Sequence, residues 1–244
     1  MIKKIEGIVL NEQSYGDSSK ILNVITKDYG IIGILSKGCK KIKSNLRIVS
    51  AKLTYGNFNV YYKEDKLSTL ISVDVIDEFT NIKTDIEKIS YASYILDLAN
   101  NVIKQNNNEN IYELLINSLI KINEGFDPMV ITNILELKYL DYLGVMPVLD
   151  SCVVCGDTKS ISTISSYKGG YICNNCLKDE KIVSDKTIKL IRMFYYVDIS
   201  KIEKLEINNI VKNEINNFLE EYYNRYTGLY LKSKEFVNSL KKIK

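Results

Sequence analysis

Two cysteine pairs constrain the fold of this chain more than any other feature of its sequence. Cys152 and Cys155 form the first pair, Cys173 and Cys176 form the second, and two residues separate the cysteines within each pair. The pairs are separated by residues 156–172, within the spacing of about 15–20 residues that is typical of a four-cysteine zinc site. Such a pair lets both sulfurs face one ion at about 2.3 Å. We therefore predict that these four cysteines hold Zn²⁺.

The alternatives are two disulfides, or cysteines that are merely buried. Both explain less, because four of the five cysteines fall into two matched pairs and nothing in the sequence indicates secretion. Glu6 and Gly7 interrupt any apolar segment of a signal peptide, and no apolar run is long enough to span a bilayer. We expect a cytoplasmic protein without a membrane segment, in a compartment that keeps thiols reduced.

The chain contains no histidine. This absence excludes Ser-His-Asp and Cys-His nucleophile systems, two-histidine zinc hydrolases and the histidine-containing zinc deaminase site. A zinc ion held by four sulfurs has no open position for water, which is the structural and not the catalytic pattern. No glycine-rich phosphate-binding motif is present either. We predict a protein that is not an enzyme, with Zn²⁺ as a structural cofactor.

Positive charge is distributed unevenly along the chain. The formal net charge is only +3, yet residues 29–63 contain no aspartate or glutamate. The densest part, residues 37–47, is called the basic loop below, and it predicts contacts with a polyanion such as DNA. The candidate DNA-binding residues are Lys37, Lys40, Lys41, Lys43 and Arg47. An ordinary solvated loop would show the same lysines.

Short apolar runs in the first 78 residues predict five strands, at residues 7–10, 18–26, 30–36, 53–63 and 67–75. So many strands without room for crossover helices indicate a small antiparallel barrel of the oligonucleotide/oligosaccharide-binding (OB) type, although an SH3-like barrel would leave much the same pattern. In the last strand we expect one face to carry Leu67, Thr69, Ile71, Val73 and Val75. Some tyrosines of this region could stack on bases: Tyr15, Tyr29, Tyr55, Tyr61 and Tyr62.

Beyond residue 78 the apolar residues recur at helical spacing. Helices are predicted at about 82–105, 111–122, from Asp127-Pro128 to Gly144, 184–197 and 206–226. Residues 231–244 could be a phosphate contact, a docking helix with a stripe of Phe236, Leu240 and Ile243, or a solvated tail. The predicted fold class is α+β multidomain: an OB-type barrel at residues 1–79, then an all-α domain at residues 80–244. A zinc-ribbon-like loop at residues 150–180, the cysteine loop, is inserted in that domain.

Several segments together resemble the RecO family of DNA repair and recombination mediator proteins. Their order and spacing carry the resemblance over nearly the whole chain. The segments are residues 15–22 with Tyr29-Gly30, residues 36–38 with the basic residues that follow, residues 135–147 running into Cys152 to Gly156, and residues 231–236. The chain departs from the family in having Cys39 and Ile42 in the basic loop, and in its lysine-rich, arginine-poor surface.

The resemblance implies an N-terminal OB barrel, a helical C-terminal domain with a zinc-binding loop, and no enzymatic turnover. It also implies binding of single- and double-stranded DNA and annealing of complementary strands. With RecR, such a protein helps load the RecA recombinase onto strands coated by single-strand binding protein, in a nucleoid-associated bacterial setting. The alternative is a zinc-stabilised protein-docking adapter that binds no DNA directly and whose lysines only solvate its surface.

Overall fold

A closed five-stranded barrel forms the N-terminal part of the computed structural model, which describes residues 1–241. Its strands are β1 (Ile2–Tyr15), β2 (Ser19–Thr26), β3 (Gly30–Ser36), β4 (Tyr55–Tyr61) and β5 (Ser68–Asp77). Around the barrel they run in the order β1-β2-β3-β5-β4, and every pair is antiparallel except β3 with β5. A short helix, α1 (Leu46–Val49), connects β3 to β4. The prediction of an OB-type barrel is confirmed.

The middle of strand β1 is buried on both of its faces. Ile5 and Val9 belong to the cluster inside the barrel, whereas Ile8 and Leu10 belong to the cluster that includes the helices. The pairing of β1 with β2 shifts register between Val9 and Asn11, so a bulge lies at this position. One strand therefore contributes to the core of the barrel and to the contact between the barrel and the helices.

The predicted alternation of β5 is wrong at Ile71 and at Val75. Leu70 is buried with 5% of its surface exposed, whereas Ile71 and Val75, which the prediction placed on one apolar face, are 40% and 43% exposed. On β4, Val60 pairs with Leu70 and the neighbouring Asn59 pairs with Ser72. Ile71 lies between these two pairs and is therefore an extra residue in β5. Such a bulge exchanges the two faces of a strand, and a strict period of two cannot show it.

Helices make up most of the remaining described chain. They are α2 (Thr80–Lys83), α3 (Ile86–Gln105), α4 (Glu109–Asn123), α5 (Pro128–Tyr142), α6 (Asp185–Tyr196), a 3₁₀ helix (Ile199–Lys201), α7 (Asn209–Tyr226) and α8 (Lys232–Lys241). The predicted helix at 82–105 is divided, because the side chain of Asp85 accepts the backbone N–H groups of Glu87 and Lys88 and so begins α3. Asp127 begins α5 in the same way, as predicted.

Helix α5 lies at the centre of the helical part, against α3, α4, α6 and α7. The terminal helix α8 packs on α3 and buries Val237, whereas Phe236 is 51% exposed. The predicted stripe is therefore wrong at Phe236, and Ile243 lies outside the described residues. Within residues 1–241, no helix combines the length and apolar character needed to cross a membrane.

The cysteine loop is inserted between α5 and α6, as predicted. Its hairpin consists of β6 (Ile161–Ser165) and β7 (Gly170–Cys173). The turn before β7 contains Gly169, whose φ of 84° lies in the left-handed region that favours glycine. At Gly170, a Cβ atom would lie 2.4 Å from the carbonyl oxygen of Val148, so the backbones of the hairpin and of the chain after α5 approach too closely for a side chain.

Candidate nucleic-acid interface and metal centre

The basic loop leaves β3 and runs beside the turn between β1 and β2. The backbone N–H of Lys40 donates to the carbonyl oxygen of Ser18 at 2.9 Å, and that of Gly38 donates to Oγ of Ser19 at 3.1 Å. Cys39, between these two contacts, is buried with 1% exposure. The loop is therefore attached to the barrel at its start, with the Cys39 side chain packed inward.

Consecutive turns shape the rest of the basic loop. The backbone N–H of Lys41 donates to Gly38 O at 3.1 Å, that of Ser44 to Lys41 O at 3.0 Å, and that of Arg47 to Ser44 O at 3.1 Å. Arg47 already lies in α1. Because hydrogen bonds close each turn, the backbone that carries the cations is compact and ordered.

The cations of the basic loop have no acidic partners among residues 1–241. Lys37, Lys41, Lys43 and Arg47 are exposed, and Lys40 is half-buried with its Nζ 3.5 Å from the carbonyl oxygen of Gly16. Throughout the part of the chain that the structure describes, none of these five cations belongs to an ion pair. The loop therefore presents positive charge that no described carboxylate neutralises.

Neighbouring lysines differ in this respect. Nζ of Lys20, on β2, lies 2.8 Å from Oε1 of Glu12 and also contacts the carbonyl oxygen of Ser50. Nζ of Lys52 lies 3.7 Å from Oδ1 of Asp97, on α3. The sequence places Lys52 in the same acid-free span as the basic loop, but the tertiary structure supplies its partner from a helix.

Tyr55 is the first of the tyrosines considered for base stacking, and it is unsuited to that role. It is buried, its hydroxyl donates to Oε1 of Glu6 at 3.1 Å, and its ring lies on that of Phe79 with a centroid distance of 5.9 Å. Burial and the Glu6 carboxylate raise the pKa of Tyr55 to about 12. This side chain belongs to the contact between barrel and helices.

The remaining candidate tyrosines divide into two kinds. Tyr29 and Tyr62 pack on each other at 5.2 Å, and Nζ of Lys3 lies 4.5 Å and 4.1 Å from their ring centroids. Tyr15 and Tyr61 are about half exposed, at 53% and 52%. Of the five tyrosines, these two have the greatest exposed surface for a contact with bases.

The four paired cysteines meet at one point in the cysteine loop. All four sulfurs lie within 4.8 Å of one another, and the Sγ atoms of Cys155 and Cys173 are 3.5 Å apart. Four sulfurs about 2.3 Å from a tetrahedral ion would be separated by about 3.8 Å, so the donor set fits such an ion. All four are free thiols, with Cys152 and Cys173 buried and Cys155 exposed. This cluster could bind a metal ion.

Each cysteine pair lies on a turn that folds its second residue back towards its first. The N–H of Gly156 donates to Cys152 O at 2.8 Å, and Gly156 has a φ of 79°. In the second pair the N–H of Cys176 donates to Cys173 O at 3.0 Å. The turns are local features, which explains why the spacing within each pair predicts them.

The thiols of the cluster differ in acidity. Burial raises the pKa of Cys152, but hydrogen bonds from the backbones of Cys173, Cys155 and Val154 outweigh burial and lower this pKa to about 6. The hydrogen bond with Cys155, together with burial, raises the pKa of Cys176 to about 12. A bound divalent ion would favour the deprotonated form of its cysteine ligands.

One buried ion pair was missed by the sequence reasoning. Glu136, on α5, is 1% exposed, and its Oε1 lies 2.6 Å from Nζ of Lys234 on α8. The same oxygen accepts the hydroxyl of Tyr94 at 2.5 Å. A signal for it exists, since Glu136 is an acidic residue inside a helix whose other residues are mostly buried. Buried carboxylates require such partners.

The two predicted sites lie on different parts of the fold, one on the barrel and one between α5 and α6. Comparison with protein families matches residues 1–79 to "Recombination protein O N terminal" and residues 83–235 to "Recombination protein O C terminal". The first match spans all five strands. The second begins at the end of α2 and includes the cysteine loop.

Three similar proteins all carry the name DNA repair protein RecO. That of Listeria monocytogenes serotype 4b (strain F2365) is 34% identical over 99% of this chain and 96% of its own length. The Halalkalibacterium halodurans protein is 33% identical, with 98% and 96% covered, and the Bacillus pumilus protein is 35% identical, with 100% and 96% covered. The similarity therefore extends through the barrel, the helices and the cysteine loop alike.

Proposed function

The chain belongs to the RecO family of DNA repair proteins, and from this premise we propose that it is a non-enzymatic mediator of recombination. In this role it binds single- and double-stranded DNA and anneals complementary strands. With RecR it helps load RecA onto strands coated by single-strand binding protein. Its place of action is the bacterial cytoplasm, in association with the nucleoid.

The observation that supports DNA binding is the unneutralised charge of the basic loop. Lys37, Lys40, Lys41, Lys43 and Arg47 occupy one ordered segment of the barrel, without a carboxylate paired to any of them among residues 1–241. Cations of this kind bind phosphates and release the counterions of the nucleic acid, which contributes affinity without reading sequence. Most of these cations are lysines, which act as point charges and lack the bidentate geometry of arginine.

Annealing follows from the same surface. Two complementary strands repel each other through their phosphates, and this repulsion slows their encounter. A surface that holds both strands against positive charge lowers the repulsion and leaves the bases free to pair. No bond is made or broken by the protein in this process, so the proposed role requires no catalytic group.

The proposed domains are residues 1–79 for DNA binding and residues 80–244 for the helical part. In the second domain Cys152, Cys155, Cys173 and Cys176 hold Zn²⁺ in the cysteine loop. The ion would neutralise the thiolates and stabilise the loop. The hairpin of this loop lies next to the end of α5 and to α6, so metal binding would stabilise this part of the helical domain.

The test compares two charge reversals of equal size. Lys41→Glu with Lys43→Glu alters the basic loop, and Lys186→Glu with Lys189→Glu alters two exposed lysines of α6 that form no ion pair among residues 1–241. Counterion release from one single-strand phosphate contact contributes about fivefold to affinity at 0.1 M salt, so losing two contacts weakens binding at least about 25-fold. Fluorescence anisotropy with labelled single-stranded DNA measures the affinity, and a strand-annealing assay accompanies it.

We expect the basic-loop variant to lose both activities and the α6 variant to keep them. An equal loss of DNA affinity in both variants would mean that only the net charge of the protein matters, and the assignment of the site to the basic loop would be wrong. A wild-type protein that binds no DNA would contradict the proposal and favour the protein-docking adapter instead.

A further inference from the structure

Ile42 is the most exposed large hydrophobic side chain of the described residues, at 87%. It lies between Lys41 and Lys43 in the basic loop, and both of these lysines are exposed. An isolated apolar residue on a protein surface is ordinary. Ile42, however, is flanked by cations that have no acidic partner among residues 1–241. It lies in the segment that the proposed function assigns to DNA binding.

The local backbone holds Ile42 away from the protein. It occupies the second position of the turn closed by the hydrogen bond from Ser44 N to Lys41 O, at 3.0 Å. The preceding turn is closed by Lys41 N with Gly38 O at 3.1 Å, and the buried Cys39 anchors it. The isoleucine is therefore at the tip of a structured loop, with its side chain in solvent.

A single strand of nucleic acid is complementary to such a tip. Its backbone is anionic, and the faces of its unpaired bases are apolar and accessible. Apolar side chains of DNA-binding proteins insert between neighbouring bases and unstack them, while flanking cations contact the phosphates. We propose that Ile42 contacts the bases of single-stranded DNA while Lys41 and Lys43 hold the adjacent phosphates. This inference rests on the proposed function and adds a base contact to it.

Ile48 is almost as exposed, at 85%, but its surroundings differ. It borders a cleft of about 400 Å³ between α1 and β5 whose charged lining residues are two carboxylates, Asp77 and Glu78, and one lysine, Lys83. Carboxylates repel the phosphates of a nucleic acid. The charges around the two isoleucines therefore favour Ile42, and not Ile48, as the base contact.

The experiment compares Ile42→Ala with Ile210→Ala, which truncates a 68% exposed isoleucine of α7. Burying part of an isoleucine against a base predicts that Ile42→Ala weakens single-strand binding about fivefold to tenfold. Since no cation is removed, the dependence of affinity on salt stays unchanged. Affinity for duplex DNA changes less than about twofold, because insertion between paired, stacked bases has an unstacking cost of about a few kcal/mol that a flexible single strand largely avoids. Ile42→Leu restores single-strand binding, and Ile210→Ala has no effect.

Unstacking is measured separately with an oligonucleotide that carries 2-aminopurine, whose emission rises when the base is unstacked. Wild-type protein raises the emission, and Ile42→Ala raises it less at saturating protein. Unchanged single-strand affinity and unchanged emission in Ile42→Ala would overturn the inference while leaving DNA binding by the lysines intact. If wild-type protein binds no DNA, the proposed function fails and this inference fails with it. The charge reversal at Lys41 and Lys43 would then have no DNA affinity to reduce.

Discussion

At the scale of single residues, Glu136 shows how one buried charge connects several helices. Its carboxylate accepts the hydroxyl of Tyr94 on α3 and lies against Lys234 on α8, while its backbone carbonyl accepts the hydroxyl of Tyr223 on α7 at 2.8 Å. Lys234 also lies 4.6 Å from the ring centroid of Tyr94. Glu136 and Lys234 belong to two of the segments that carry the resemblance to the RecO family. Their contacts connect α5 to α3, α7 and α8.

Lys234→Met should destabilise the protein strongly. Removing one partner of a buried ion pair leaves the other charge uncompensated, which costs about 3–5 kcal/mol. The side chains of Lys234 and Glu136 are only 16% and 1% exposed, so solvent screens the pair little. Urea unfolding, followed by circular dichroism, measures the free energy of unfolding.

The control for this change is Lys232→Met, since Lys232 is an exposed lysine of the same helix. Its free energy of unfolding should stay within about 0.5 kcal/mol of the wild type. Adding Glu136→Gln to Lys234→Met should recover part of the lost stability, because the unpaired charge is then absent. If Lys234→Met and Lys232→Met lowered the free energy of unfolding equally, the stabilising role given to the pair of Glu136 and Lys234 would be contradicted.

At the scale of elements, local patterns predict what local interactions determine. The turns at the cysteine pairs and the N-cap at Asp127 follow from residues within four positions of one another, and the structure has them. The bulge at Ile71 was not predictable in this way, because it depends on the pairing of β5 with β4. The burial of Val237 instead of Phe236 depends on where α8 meets α3.

The cysteine loop yields the prediction at this scale. Purified protein should contain about one zinc ion per chain, because four convergent thiolates form a closed site for that metal. Cys173→Ser should lose the ion, whereas Cys39→Ser should keep it, since Cys39 lies in the basic loop and not among the convergent sulfurs. Elemental analysis after gel filtration measures the metal content.

A metal-free wild type would contradict the zinc assignment. So would a Cys173→Ser variant that retains as much zinc as Cys39→Ser does. A further consequence is that a chelator should lower the thermal stability of the wild type and leave that of Cys173→Ser unchanged, because only the first has an ion to lose.

At the scale of the whole molecule, the sequence predicted a barrel, a helical part and an inserted cysteine loop, and these are confirmed. The sequence did not show which cations have partners. Lys52 and the lysines of the basic loop lie in the same acid-free span, yet within the described part of the chain only Lys52 of this set meets a carboxylate, that of Asp97 on α3. Charge that remains unpaired is a property of the tertiary structure, and the proposed DNA contact depends on that property.

The salt dependence of single-strand binding tests the central proposal most directly. If all five cations of the basic loop contact phosphates, log K against log salt concentration should have a slope of about −3.5, from roughly −0.7 for each contact. In Lys41→Ala with Lys43→Ala the slope should become shallower by about 1.4, because two contacts are lost. A wild-type slope near zero, or an equal slope in the wild type and this variant, would contradict the proposal that the basic loop binds DNA.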